Sequence, residues 1–139
     1  MEIEYKVNHP ISVEQFVTLL KKTSLGERRP LGNELTIQGM LDNSNLIVTA
    51  WLNDQLVGVA RSVTDFHYCC YLSDLAVDES VQSNGIGKYL ILVTKEELSP
   101  SCKLVLLSAP KAQGYYPKIG FEALNSAWVL YRAEQLKIN

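Results

Sequence analysis

The stretch of the chain best equipped for chemistry is Asp74-Leu75-Ala76-Val77-Asp78-Glu79-Ser80-Val81-Gln82-Ser83-Asn84-Gly85-Ile86-Gly87-Lys88. A strand-like run ends at Val77, a polar loop follows, and Gly85 and Gly87 open a segment with helical spacing. Glycine lets successive backbone N–H groups turn toward one point without a Cβ in the way. At a helix start those groups have no intrahelical partner, and the helix dipole favours an anion there. The loop 82–88 therefore reads as a cradle for a phosphate or pyrophosphate. Two well-known phosphate loops do not fit. A Walker A loop needs Ser or Thr after Gly-Lys, but Gly87-Lys88 is followed by Tyr89. A dinucleotide fingerprint needs a third glycine where Leu90 stands, and an acidic residue about 20 positions further on, where the apolar run 104–107 lies.

What remains is Gln82-x-x-Gly85-x-Gly87 after Leu75-Ala76-Val77, which resembles the coenzyme A loop of the GNAT N-acetyltransferase superfamily. A second block, Ala112-Gln113-Gly114-Tyr115-Tyr116-Pro117-Lys118-Ile119-Gly120-Phe121, looks like that family's helix-to-strand motif. Val57-Gly58-Val59-Ala60-Arg61 is similar to the family's third strand, and the resemblance covers essentially the whole chain. It implies a GNAT-type acyl-CoA N-acyltransferase fold and an acetyl-CoA-dependent N-acetyltransferase. Acetyl-CoA would serve as cosubstrate and no metal is needed. The acetyl group would pass directly, in a ternary complex, to a primary amine of a small molecule or peptide.

The resemblance also implies roles for individual residues. The Leu75 N–H is the oxyanion donor, and Leu75, Ala76 and Val77 meet the pantetheine arm, Val77 pairing with it like an added strand. Gln82, Ser83, Asn84, Gly85, Ile86, Gly87 and Lys88 take the pyrophosphate. Asn84 and Lys88 add side-chain donors, although Lys88 equally fits an ordinary solvated helix residue. Tyr116, five residues before Phe121, falls on the catalytic tyrosine, with Tyr115 leaving the register open by one residue. Ala109 stands where many relatives carry an asparagine that contacts the pantetheine arm, so Ser108 or a backbone group would substitute there.

The chemistry of the residues can be argued separately. An amine that attacks a thioester must lose a proton, the attack creates an oxyanion, and collapse expels a thiolate. A phenol with a pKa near 10 stays protonated at neutral pH and can donate to a thiolate whose ordinary pKa is about 8.5. That suits Tyr116; the plainer alternative is a core aromatic near a helix end. Asp74 is the nearest carboxylate to the transfer point and a candidate proton acceptor. Strand alternation, however, sets Asp74 on the face opposite Tyr71, Ser73 and Leu75. If that second face meets the substrate, Tyr71 and Ser73 line the amine pocket, Asp74 is structural, and water is the relay. His67 is a further candidate base, though a lone histidine in a strand connection is more often solvated.

These groups have to be positioned by a fold that periodicity outlines. Ile3, Tyr5 and Val7 alternate with charged residues as a half-buried strand. Ser12-Val13-Glu14-Gln15 has the form of a capping box opening a helix over 12–22. A weaker helix follows over 32–42. Segments 46–53, 55–65 and 68–77 read as antiparallel strands, with Asn53-Asp54 and Phe66-His67 as turns. A helix over 85–98 and a strand over 104–107 complete a parallel βαβ crossover. A helix over 111–119 and strands over 121–124 and 127–132 are predicted last. The class is α+β: a mixed, mostly antiparallel sheet with one parallel crossover and flanking helices. Gly26-Glu27-Arg28-Arg29 reads either as a mobile flap or as surface charge.

Composition narrows the function further. The chain has 139 residues, 47% hydrophobic and 20% charged, and is expected to be one globular domain over 1–139. Thirteen basic against fifteen acidic residues give a net charge of −2, which argues against a broad nucleic-acid footprint. Three cysteines, two of them adjacent, with only two histidines argue against structural zinc and for reduced thiols in the cytoplasm. The N-terminal residues lack an apolar signal segment, and no apolar run approaches a membrane span. The expected partners are thus an amine substrate and no membrane or nucleic acid. The family is often dimeric, and nothing in the sequence decides for or against a homodimer. From other classes come a non-catalytic coenzyme A-binding regulator acting on a protein partner, and a dimeric scaffold with a vestigial loop.

Overall fold

Strand and helix spacing along the chain resolves into β1 (Glu4–Val7), α1 (Val13–Leu20), α2 (Glu34–Asp42), β2 (Leu46–Leu52), β3 (Gln55–Thr64), β4 (Cys69–Val77), α3 (Ile86–Glu96), β5 (Lys103–Val105) and α4 (Tyr115–Lys118). The computed structural model describes residues 2–138. By internal contacts the chain divides into two compact units, residues 1–107 and 108–139.

The first unit carries one sheet in the order β1-β2-β3-β4-β5, antiparallel throughout except for the parallel pair β4–β5. This is the α+β arrangement expected from the sequence. The capping box at α1 forms in full: Ser12 Oγ accepts the Gln15 N–H at 3.0 Å, and Gln15 Oε1 accepts the Ser12 N–H at 2.9 Å. Asn53 and Asp54 both take positive φ, 49° and 65°, so the two-residue turn between β2 and β3 twists with its strands. β2 is buried along nearly its whole length, as a strand covered on both faces must be. Phe16, Leu19 and Leu20 of α1 and Ile37 of α2 pack with Ile47, Trp51, Val59 and Ala76 on one face. The other face meets α3, where a Cβ on Gly58 would lie 3.1 Å from Leu90 Cδ1 and 3.3 Å from Ile86 Cγ2.

Two bulges interrupt the ladders. One lies where Ala50 opposes Gly58 but Trp51 opposes Leu56. The other leaves Ser73 as an extra residue in β4, since Arg61 opposes Asp74 while Ser62 opposes Leu72. Directly opposed residues share a face, so a bulge shifts the side-chain alternation by one. Simple alternation separates Asp74 from Tyr71. The bulge at Ser73 corrects this: Tyr71, opposite Val63, lies on the same face as Asp74, opposite Arg61. Leu75 and Val77 lie on the face that meets α3.

The second unit holds a 3-10 turn, Pro110–Ala112, and the four-residue α4. The single helix expected over 111–119 is therefore split, with Gly114 between the pieces. The strands expected over 121–124 and 127–132 are not formed among the described residues. A strand exists only through its ladder, and no ladder partner opposes these positions, where Leu124, Trp128, Val129, Leu130 and Tyr131 are exposed.

Candidate active site

The feature that distinguishes β4 is an edge that loses its partner. β5 pairs with it only at Cys69–Lys103, Cys70–Leu104 and Tyr71–Val105, whereas β4 continues to Val77. The Asp78 N–H donates to Val57 O at 2.8 Å, so Asp78 points its backbone toward β3. Backbone groups alternate in direction, so Ala76 and Asp74 also point toward β3 and Leu75 and Val77 point away from it, as does the Ser73 carbonyl, which lies across the trans peptide from the Asp74 N–H. Two side chains confirm this phase: Arg29 Nη2 donates to Ser73 O at 2.9 Å, and Gln82 Nε2 donates to Val77 O at 3.1 Å. The Leu75 and Val77 N–H groups thus project from the stretch of edge that β5 has left. An extended ligand could pair with them as an added strand.

The polar loop follows directly. A 3-10 turn, Glu79–Val81, is capped by Asp78, whose Oδ1 accepts from the Ser80 N–H and Oγ. Burial pushes the Asp78 carboxyl up, but these hydrogen bonds and the Lys22 ammonium at 3.8 Å outweigh it and hold it below its ordinary range. Ser83 and Gly85 both take positive φ, 71° and 76°. Gly85 is the N-cap of α3 and offers no side-chain cap, and no acidic residue lies in the first turn. The first helical bond runs from the Tyr89 N–H to Gly85 O, leaving the N–H groups of Ile86, Gly87 and Lys88 without helical acceptors. Asn84 Nδ2 bonds Val81 O at 2.9 Å and Gln82 O at 3.3 Å, so this side chain staples the loop from within. Lys88 is exposed, and Ile86 is buried as an anchor.

Asp74 has no exposed surface. Arg29 Nε meets its Oδ1 at 2.6 Å, and Arg61 Nε meets its Oδ2 at 2.5 Å. Arg61 also donates to Ser44 Oγ at 2.8 Å and Ser73 Oγ at 2.9 Å. Both carboxylate oxygens are therefore engaged by guanidinium groups. Of the two arginines in the Gly26–Arg29 segment, Arg28 is exposed, as surface charge would be, whereas Arg29 is bound to Asp74 and Ser73 of β4. His67 lies exposed in the β3–β4 turn, at the start of β4, whereas Leu75 is near its end.

In the second unit, Tyr116 packs edge-on against Tyr115, with centroids 5.3 Å apart, and against Phe121 at 5.4 Å. Burial, with a smaller contribution from Tyr115, pushes its phenol above the usual value. The Phe121 N–H returns to Tyr116 O at 3.0 Å across Gly120, whose φ is +105°. Ala109 caps the 3-10 turn through its carbonyl, which accepts the Ala112 N–H at 2.9 Å.

No motif marks Arg61 and Arg29 as partners of Asp74. A signal was present: an arginine inside Val59-Ala60-Arg61-Ser62-Val63 and a carboxylate inside an apolar strand each demand a buried counter-charge. A cavity of about 290 Å³ opens at the other end of the sheet, between the end of β1, α2 and the start of β2. It lies away from the loop 82–88.

Residues 21–129 match the family described as acetyltransferase (GNAT) domain. Over 67 residues, 47% of this chain, the sequence is 33% identical to GCN5-related N-acetyltransferase 1, chloroplastic, of Arabidopsis thaliana. The chain spans 34% and 54% of the lengths of two curated relatives that it matches. A solved GNAT-family acetyltransferase from Streptococcus pneumoniae TIGR4 superposes with a TM-score of 0.76 at 26% identity, covering 96% of this chain and 100% of that one. The aminoglycoside N-acetyltransferase AAC(6')-Iy, solved with CoA, superposes with a TM-score of 0.71 over 94% of each chain; at 18% identity, that likeness is one of fold.

Proposed function

The chain belongs to the GNAT acetyltransferase family, and on that premise we propose that it moves the acetyl group of acetyl-CoA to a primary amine of a small molecule or peptide, directly and in a ternary complex. The observation that carries this reading is the unpartnered edge of β4 leading into an uncapped helix start. An extended thioester arm fits the first and a pyrophosphate fits the second. Val77 would pair with the arm, the Leu75 N–H would face its thioester carbonyl, Ala76 would anchor the strand from its buried face, and the N–H groups of the loop 82–88 would hold the phosphates.

In the proposed reaction the neutral amine attacks the thioester carbonyl and a C–N bond forms. The Leu75 N–H donates to the oxyanion. The C–S bond then breaks, and the thiolate takes the proton of Tyr116, assigned this role by its place in the motif and by a phenol held protonated. Asp74 is assigned a positioning role, because both its oxygens are already engaged; water accepts the amine proton. Ala109 offers no side-chain donor where relatives carry an asparagine, so Ser108 or a backbone group would have to serve the arm. That an aminoglycoside N-acetyltransferase shares the fold supports a small-molecule acceptor.

Isothermal titration with acetyl-CoA, CoA and NADH, followed by an amine panel read by mass spectrometry, tests the reading. Saturable binding of acetyl-CoA and an acetylated amine are expected. No binding at millimolar ligand would refute the proposal. Tight binding with no acetylated product and a co-purifying protein would favour a coenzyme A-dependent regulator instead.

A further inference from the structure

The segment joining α1 to α2 is fastened at two points. Thr23 Oγ1 donates to Leu20 O at 2.9 Å and accepts the Leu25 N–H at 3.2 Å. A Cβ on Gly26 would lie 2.7 Å from Leu20 O, so glycine alone permits that close approach. Beyond it, Arg29 uses three different nitrogens: Nη1 to its neighbour's carbonyl Arg28 O at 2.9 Å, Nε to Asp74, and Nη2 to Ser73 O.

Ser73 is the bulge residue of β4 and has no opposite number in β3. Its backbone is therefore held less regularly by the ladder than that of its paired neighbours Leu72 and Asp74. Arg29 grips its carbonyl, and Arg61 grips its hydroxyl while holding Asp74 from the other side. The Ser73 carbonyl and the Leu75 N–H project from the same edge, separated only by Asp74. A rotation of the bulge would therefore redirect the N–H proposed to receive the oxyanion.

We propose that Arg29 is a positioning residue for acyl transfer, bridging Asp74 and the Ser73 carbonyl so that the Leu75 N–H keeps its aim. The inference rests on the acetyl-transfer reading above. It depends on a planar fork: a lysine ammonium at this position supplies one point charge and cannot satisfy both acceptors in the same geometry.

The test uses the full chain as wild type, Arg29→Ala, Arg29→Lys and, as a control, Arg28→Ala. Two quantities are read: amide hydrogen exchange at Asp74 and Ala76, whose N–H groups point to β3, and the Kd for acetyl-CoA and for CoA by titration. In both Arg29 variants, exchange at Asp74 and Ala76 should rise at least tenfold while Val48 and Val59 stay protected. Acetyl-CoA should bind three- to tenfold more weakly, the worth of about one hydrogen bond, with CoA changed less than twofold because it lacks the acetyl carbonyl that the Leu75 N–H would face. Arg28→Ala should match wild type. Faster exchange with an unchanged acetyl-CoA Kd would make Arg29 a structural anchor only and overturn the proposal, as would unchanged exchange. If Arg29→Ala does not fold, Arg29→Lys decides on the same criteria. Wild-type protein that binds neither ligand would sink the acetyl-transfer reading itself, and the role of Arg29 with it.

Discussion

Replacing Asp74 by asparagine removes one negative charge from between two guanidinium groups and changes the volume little. The carboxylate is fully buried, with guanidinium nitrogens at 2.6 and 2.5 Å. In Asp74→Asn one amide oxygen can still accept, but the NH2 group must face the other guanidinium, donor against donor. Removing one member of a buried ionic cluster costs about 3–5 kcal/mol. The Arg29 side chain is 22% exposed and can turn partly to water, whereas Arg61 at 9% cannot, which places the expected loss near the lower end, about 3 kcal/mol. Against a total stability of roughly 5–15 kcal/mol, that is a large fraction. The assay is equilibrium unfolding in urea rather than guanidinium chloride, so that the denaturant does not screen the charges under test. The midpoint should fall with the slope unchanged. A double-mutant cycle with Arg61→Met should show the two losses to be non-additive by more than about 1 kcal/mol. A loss below about 1 kcal/mol, or additive losses, would refute the reasoning and return Asp74 to consideration as a free proton acceptor.

Three further outcomes are expected. Tyr116→Phe should keep acetyl-CoA binding and lose turnover by roughly 10²- to 10⁴-fold, the usual range for a general acid; because the Tyr116 pKa is raised, wild-type turnover should fall only as pH climbs through a value above 10, and a fall below pH 9 would remove Tyr116 from the role. Its stability contribution has the same sign, present below the unfolded phenol's pKa and lost as pH rises through the folded one. Gly58→Ala should cost about 1–3 kcal/mol in urea unfolding, since the new methyl meets Leu90, Ala50 and Ile86 at 3.1–3.3 Å and pushes α3 from the sheet; a change under about 0.5 kcal/mol would mean that the helix yields freely. Asp78→Ala should cost about 0.5–2 kcal/mol through loss of the cap on Ser80; as the folded carboxyl is lowered, the wild-type advantage should be present above pH 4 and vanish as pH falls through the folded value.

What the sequence reveals about this fold depends on whether the signal is local. Ser12 and Gln15 announce the α1 capping box within four residues, and Asn53-Asp54 announces its turn, because both are closed by neighbours in the chain. The glycine pair at the start of α3 is legible for the same reason. The Ser73 bulge is not, since it is a mismatch between two strands and neither strand records it alone. That one residue reverses which face Asp74 shares with Tyr71. The Asp74–Arg29 pair is further out of reach, because it spans 45 positions and Arg29 sits in a segment whose composition reads as surface charge. The apolar alternation near Val129 and Tyr131 marks strand propensity, but a strand also needs a partner that propensity does not supply.

The polar cluster on β4 is therefore better understood as geometry than as stability. A buried ion triad can often be replaced by apolar residues with no loss of stability. What apolar residues cannot do is hold a carbonyl that the ladder leaves unpaired. Ser73 has such a carbonyl because it faces the edge that β5 has left, and Arg29 and Arg61 supply donors to its carbonyl and its hydroxyl while Asp74 balances their charge. The same bulge sits beside the point where β5 lets go, two residues before Leu75. An edge left free for a ligand would drift if nothing replaced the missing strand, and here side chains from β3 and from the α1–α2 segment take over that part of its work.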